Sequence, residues 1–132
     1  MKKLLLILVA AVTITACKKG AGEGGNSSVT GTVMASEYDE KSGLLLRTQP
    51  GEDVDVYIIY GDDASYGNKT KTSGDGKFEF KYLRRGSYKV YAYSQTLPVS
   101  KTSGQQAVIK PVEIVDKKKS VDIGTIEINR KY

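Results

Sequence analysis

The sequence predicts an all-β domain, a seven-stranded antiparallel Greek-key sandwich, on three observations. Apolar and polar residues alternate at the period of a strand, as in Lys77-Phe78-Glu79-Phe80-Lys81-Tyr82 and Tyr88-Lys89-Val90-Tyr91-Ala92-Tyr93. Turn signals such as Gly74-Asp75-Gly76 and Arg84-Arg85-Gly86 break these runs at short intervals. Beyond the N-terminal apolar run, no window carries a helical period.

The chain opens on Met1-Lys2-Lys3, followed by an apolar run from Leu4 to Ala11 that extends to Ile14. A bilayer needs roughly 20 apolar residues to be spanned by a helix. This run is shorter and fits the apolar region of a secretory signal, here residues 1–16. Ile14-Thr15-Ala16-Cys17 follows and resembles the lipobox of bacterial lipoproteins, in which an aliphatic and two small residues precede an acylated cysteine. The resemblance implies that Cys17 carries lipid, that the membrane is the partner at this end, and that the address is the cell envelope. The absence of Asp at position 18 implies the outer membrane, on a face left open.

Residues 17–28 hold Gly20, Gly22, Gly24 and Gly25 and no large apolar side chain, so they are expected to form a flexible tether. Such a coil spans roughly 18 Å on average.

The folded domain is then expected over residues 29–132. Val29, Gly31 and Val33 open a first strand, and the polar stretch Ala35–Pro50 reads as a long loop with room for a small excursion at Leu44–Leu46. In Asp53–Tyr60, Val54, Val56, Ile58 and Tyr60 point inward, while Asp55, Tyr57 and Ile59 point outward. Tyr66–Thr72, rich in Thr and Lys, suits an edge, because lysine discourages edge-to-edge pairing. In the central hairpin Phe78, Phe80 and Tyr82 face the core, opposite Tyr88, Val90 and Ala92. Gln106–Val115 is an edge or a bulged strand, because Pro111 cannot donate to a ladder. In the last strand Val121 and Ile123 hold one phase and Ile126 and Ile128 the other, which places a β-bulge at Gly124.

Taken in order, Val29-Thr30-Gly31-Thr32-Val33, Asp55–Tyr60, Thr72–Phe80 and Leu83–Val90 resemble the carboxypeptidase regulatory-like domain, a transthyretin-like (prealbumin-like) β-sandwich. The resemblance covers nearly all of Val29–Asn129 and implies fold rather than activity. Gly86-Ser87-Tyr88 resembles a tyrosine corner, in which the phenol bonds backbone across a connection.

Composition narrows the chemistry. Histidine is absent, which removes the commonest general base and metal ligand at neutral pH. The single cysteine excludes an intrachain disulfide and a thiolate zinc site. Removing Lys2 and Lys3 with the leader lowers the formal charge from +5 to +3, too little to suggest nucleic acid as a partner. Acidic residues at Glu52, Asp53, Asp55, Asp62, Asp63 and Asp75 lack the dense alternation of a calcium loop, so neither a metal site nor another cofactor is expected. No serine stands in a Gly-x-Ser-x-Gly setting, and no catalytic residue is assigned.

What remains is a face. Tyr57 and Ile59 on one strand and Tyr91 and Tyr93 on another all point away from the expected core. If those strands are neighbours, the four form an exposed patch of the kind that marks a contact surface. The functional expectation is therefore a non-enzymatic, lipid-anchored envelope protein that binds or scaffolds protein or glycan. The alternative is a structural accessory or spacer subunit of a larger outer-membrane complex.

Overall fold

The structure is a computed structural model and describes residues 20–132. The signal segment, Lys18-Lys19 and Cys17 lie outside the described residues. Eight strands follow one another: β1 Glu23–Tyr38, β2 Leu45–Pro50, β3 Asp55–Tyr60, β4 Asn68–Lys71, β5 Lys77–Leu83, β6 Gly86–Gln95, β7 Gln105–Ile114 and β8 Ser120–Lys131. They form two four-stranded sheets stacked as an all-β sandwich.

In the first sheet β1 is central. β8 runs along one side of it, while β5 and then β2 share the other side. The second sheet has the order β4-β3-β6-β7 and is antiparallel throughout. Alternation fills the space between the sheets with Val29, Val33 and Ala35 from β1, Val56 and Ile58 from β3, and Phe78 and Phe80 from β5. Tyr88, Val90 and Ala92 come from β6, and Ile126 and Ile128 from β8. These side chains are almost wholly withdrawn from water, which is the main favourable term in holding the two layers together.

Several expectations are borne out by the ladder. Pro111 lies in β7, an edge strand, and β4 is the other edge of that sheet. Opposite Thr30–Thr32, β8 carries one residue too many, with Gly124 at φ 81°, so the phase of its apolar residues flips there. Tyr88 is a tyrosine corner: its hydroxyl donates to the carbonyl of Arg84 at 2.6 Å and accepts from the N–H of Gly22 at 2.9 Å.

Other expectations are corrected. The strand count is eight among the described residues, because Leu45–Pro50, expected as loop, pairs with Met34–Tyr38 of β1. The pairing is not antiparallel throughout, since β1 and β8 run parallel. A parallel pair needs a long crossover, and here the intervening strands supply it. Tyr82 does not face the core. It takes φ 59° at a bulge in β5 and is 69% exposed, while Leu83 moves into the buried position.

Residues 20–28 are not a free coil either. β1 already begins at Glu23, and the arm ahead of Val29 is held by groups distant in sequence. The N–H of Arg84 donates to the carbonyl of Gly22 at 2.8 Å. The Arg84 guanidinium donates to the carbonyls of Gly20 at 2.8 Å and Glu23 at 2.6 Å. Gly25 lies so close to the Leu83 carbonyl that a Cβ there would sit 2.1 Å from its oxygen. Glycine, which composition alone reads as a source of flexibility, here permits close backbone approach. Tyr60 closes the arm from the other sheet, donating to Glu23 at 3.3 Å. Its phenol pKa is pushed up to about 12 by burial and then by that carboxylate.

Candidate functional site

The pairing of β3 with β6 decides whether the outward tyrosines meet. Tyr57 lies directly opposite Tyr91, and opposed residues of an antiparallel pair share a face. The rings of Tyr57 and Tyr91 stack with centroids 4.9 Å apart and planes 12° from parallel. Tyr93 meets both edge-on, each at 5.7 Å. The structure thus brings together Tyr57, Tyr91 and Tyr93. Ile59 shares their face two register pairs along, opposite Lys89, and makes no part of the ring cluster.

Sequence reasoning missed one member. Tyr66, assigned there to the start of an edge strand, lies in the β3–β4 connection and packs edge-on to Tyr57 at 5.0 Å. The only local signal for it is an aromatic residue just before a strand that runs back along β3. Ile109 of β7, opposite Tyr91 and exposed, extends the apolar surface on the other side.

The cluster is half open to water: Tyr66 and Tyr93 are 47% and 45% exposed, whereas Tyr57 and Tyr91 are partly covered by their neighbours. Burial among these rings, followed by the nearby Tyr93 phenol, pushes the Tyr91 pKa up, so Tyr91 stays a neutral hydroxyl at physiological pH. The resulting surface is a shallow strip of ring faces and edges with phenolic hydroxyls along it. Offset and edge-to-face contacts of this kind fix ring orientation and leave a pre-formed platform.

A cleft of about 570 Å³ opens elsewhere, beside Thr30, Thr32, Thr72, Lys77 and Glu79, and contains none of these tyrosines. Its buried polar groups are already satisfied. Thr72 donates to the Gly51 carbonyl and accepts from the Val54 N–H at 2.8 Å. The tyrosine face is therefore the better candidate, because among the described residues Tyr66 and Tyr93 stay open to water.

Three of the acidic residues considered for calcium, Asp53, Asp55 and Asp75, are engaged by other side chains. Lys71 reaches Asp55 at 3.1 Å and Asp53 at 3.8 Å, and Asp75 is held by Ser73 and Lys77. Among the described residues no three His, Cys, Asp or Glu side chains gather as metal ligands.

No protein-family model and no curated protein matches the chain. Among solved structures, a candidate carbohydrate-binding protein of Pseudomonas aeruginosa is similar over 83% of this chain and 92% of its own, at 14% identity and a TM-score of 0.48. A 9R-lipoxygenase of Cyanothece is similar over 80% of this chain, at 15% identity and a TM-score of 0.40, and this chain spans 16% of it.

Proposed function

We propose that the protein is a non-catalytic binding module of the cell envelope, anchored through lipid on Cys17, whose tyrosine face contacts glycan. The observation that carries this reading is the half-exposed cluster of Tyr57, Tyr66, Tyr91 and Tyr93 on the outer face of the second sheet. A pyranose has an apolar C–H face and a rim of hydroxyls. It therefore matches a surface that offers ring area and phenolic donors at low entropic cost. A protein surface of similar character is the other partner such a face admits.

The double variant Tyr91→Ala/Tyr93→Ala tests the reading. Each change removes aromatic contact contributing on the order of 1 kcal/mol, so saturable binding on a glycan array should weaken at least about tenfold. The far-ultraviolet spectrum should stay unchanged, since both rings lie outside the core. Unaltered binding would remove the tyrosine face from consideration.

The anchor has its own test. Wild-type protein from membranes should carry a fatty-acid mass increment on its N-terminal peptide, and Cys17→Ser should lose it. Each buried methylene contributes about 0.8 kcal/mol, so two or three acyl chains hold the domain at a bilayer essentially permanently. An unmodified thiol on the wild-type protein would refute the anchor.

The accessory-subunit reading is favoured by a different observation: Leu44, Leu45 and Leu46 lie exposed in a row at the start of β2. A subunit would co-purify with neighbours from detergent-solubilised membranes and show no saturable glycan signal.

A further inference from the structure

We infer that the saccharide taken by the tyrosine face is anionic, carrying a carboxylate, sulfate or phosphate group; this rests on the glycan-binding reading above. The ladder sets the charges around the rings. One register row across the sheet reads Lys69, Tyr57, Tyr91, Ile109, and the next row on the same face reads Ile59, Lys89, Pro111. Directly opposed side chains have Cβ atoms about 4.5–5.5 Å apart, and diagonal ones about 7–8 Å. Lys69 therefore stands beside Tyr57, and Lys89 stands diagonally across from it and two residues along the strand from Tyr91. One cation thus flanks the stacked pair across the sheet, and the other lies along the β6 strand.

These two ammonium groups are exposed and make no ion pair among the described residues. The third lysine of the face, Lys71, is different: it is committed to Asp55 and Asp53. Among the carboxylates near the face, Asp55 is already neutralised in that pair, while Glu113, diagonal to Lys89, and Asp62 line a cleft with Lys89 on its side away from the rings without forming an ion pair with it. The charges nearest the rings are the two lysines: Lys69 stands opposite Tyr57, and Lys89 lies between Tyr91 and the Ser87–Glu113 pair. An exposed lysine holds a carboxylate only modestly and under salt screening. Two of them beside a stacking platform select for charge without making the platform specific for one sugar.

The experiment uses the full chain in detergent and titrates it calorimetrically with oligomers of galacturonate and alginate, and with a sulfated galactan oligomer. Each is compared with its neutral counterpart, made by carboxyl reduction or desulfation. The anionic oligomers should bind about fivefold to tenfold more tightly at low ionic strength. That preference should collapse at about 0.5 M salt, where screening shortens the range of exposed charges. Lys69→Gln/Lys89→Gln should bind both members of each pair with the affinity of the neutral one. Equal binding of charged and neutral oligomers by the unaltered protein would overturn the inference and leave the tyrosine face standing. A preference that survives in the double variant would overturn the assignment to these lysines. Absence of binding by every oligomer would overturn both the inference and the glycan reading. The preference of uronate over sulfate, or the reverse, identifies which anionic group is selected.

Discussion

Replacing Glu37 by alanine is expected to destabilise the domain by about 3 kcal/mol, at the lower end of what breaking a buried ion pair costs. Glu37 occupies an inward position of β1 at the end of the core and is 4% exposed. Arg130 of β8 donates to one carboxylate oxygen from Nη2 at 2.7 Å and from Nε at 3.1 Å. Arg47 of β2 donates to the other at 2.6 Å, and Gln49 adds a bond of 2.9 Å. The row is a cross-strand set, since Glu37 lies opposite both Arg47 and Arg130. Truncation leaves two guanidinium groups facing each other without the anion between them. Both arginines keep access to water, which is why the lower end of the range applies. Urea denaturation would measure the loss, and a change under about 1 kcal/mol would show that water replaces the carboxylate effectively.

The same residue sets an acid limb. Arg130 holds the Glu37 carboxyl below its ordinary value of 4.5, against the opposing effect of burial, with Arg47 and Gln49 adding to the lowering. A carboxyl whose folded-state pKa is depressed contributes stability that is complete above its unfolded pKa. That stability is lost as pH falls through the folded value. Stability should therefore be level above about pH 5 and decline from there downward. Glu37→Gln, which keeps the shape and removes the charge, should flatten the part of that decline due to this residue. Parallel acid limbs in the two proteins would assign the decline to other carboxylates.

The second large effect is expected at Tyr88, which is 1% exposed. Tyr88→Ala should cost about 3–5 kcal/mol, the range for deleting a buried aromatic ring. Tyr88→Phe separates the hydroxyl from the ring. It leaves the Arg84 carbonyl and the Gly22 N–H without their partner, which costs about 1–3 kcal/mol. The two variants differ in place as well as size. Because the hydroxyl ties residues 20–28 to the β5–β6 corner, Tyr88→Phe should free the amides of the arm to exchange while the core strands stay protected. Hydrogen exchange would read this directly, and an arm that keeps its protection would show that the Arg84 and Tyr60 bonds hold it without the Tyr88 hydroxyl.

The alternation in β3 and β6 is local information, and it suffices to turn Tyr57, Tyr91 and Tyr93 to the outer face and Val56, Ile58, Val90 and Ala92 to the core. The bulge at Gly124 is legible for the same reason, since a phase flip at a glycine needs no partner to be seen. Leu45–Pro50 was hidden because its residues lie largely exposed on an outer strand, so burial imprints no period on them. Tyr82 misleads because the bulge that turns it outward rests on a backbone conformation that tyrosine rarely adopts, with Leu83 competing for the buried position.

Charge, composition and periodicity by themselves determined that this is an all-strand domain with an aromatic outer face and no histidine chemistry. Each of those properties belongs to a residue or to its near neighbours. Only the tertiary structure decided that Tyr57 stacks on Tyr91, that Tyr66, Lys69 and Lys89 join them, and that a glycine-rich arm is bound rather than free. These depend on which strand lies beside which and on hydrogen bonds between residues far apart in the chain, and no local pattern encodes a pairing.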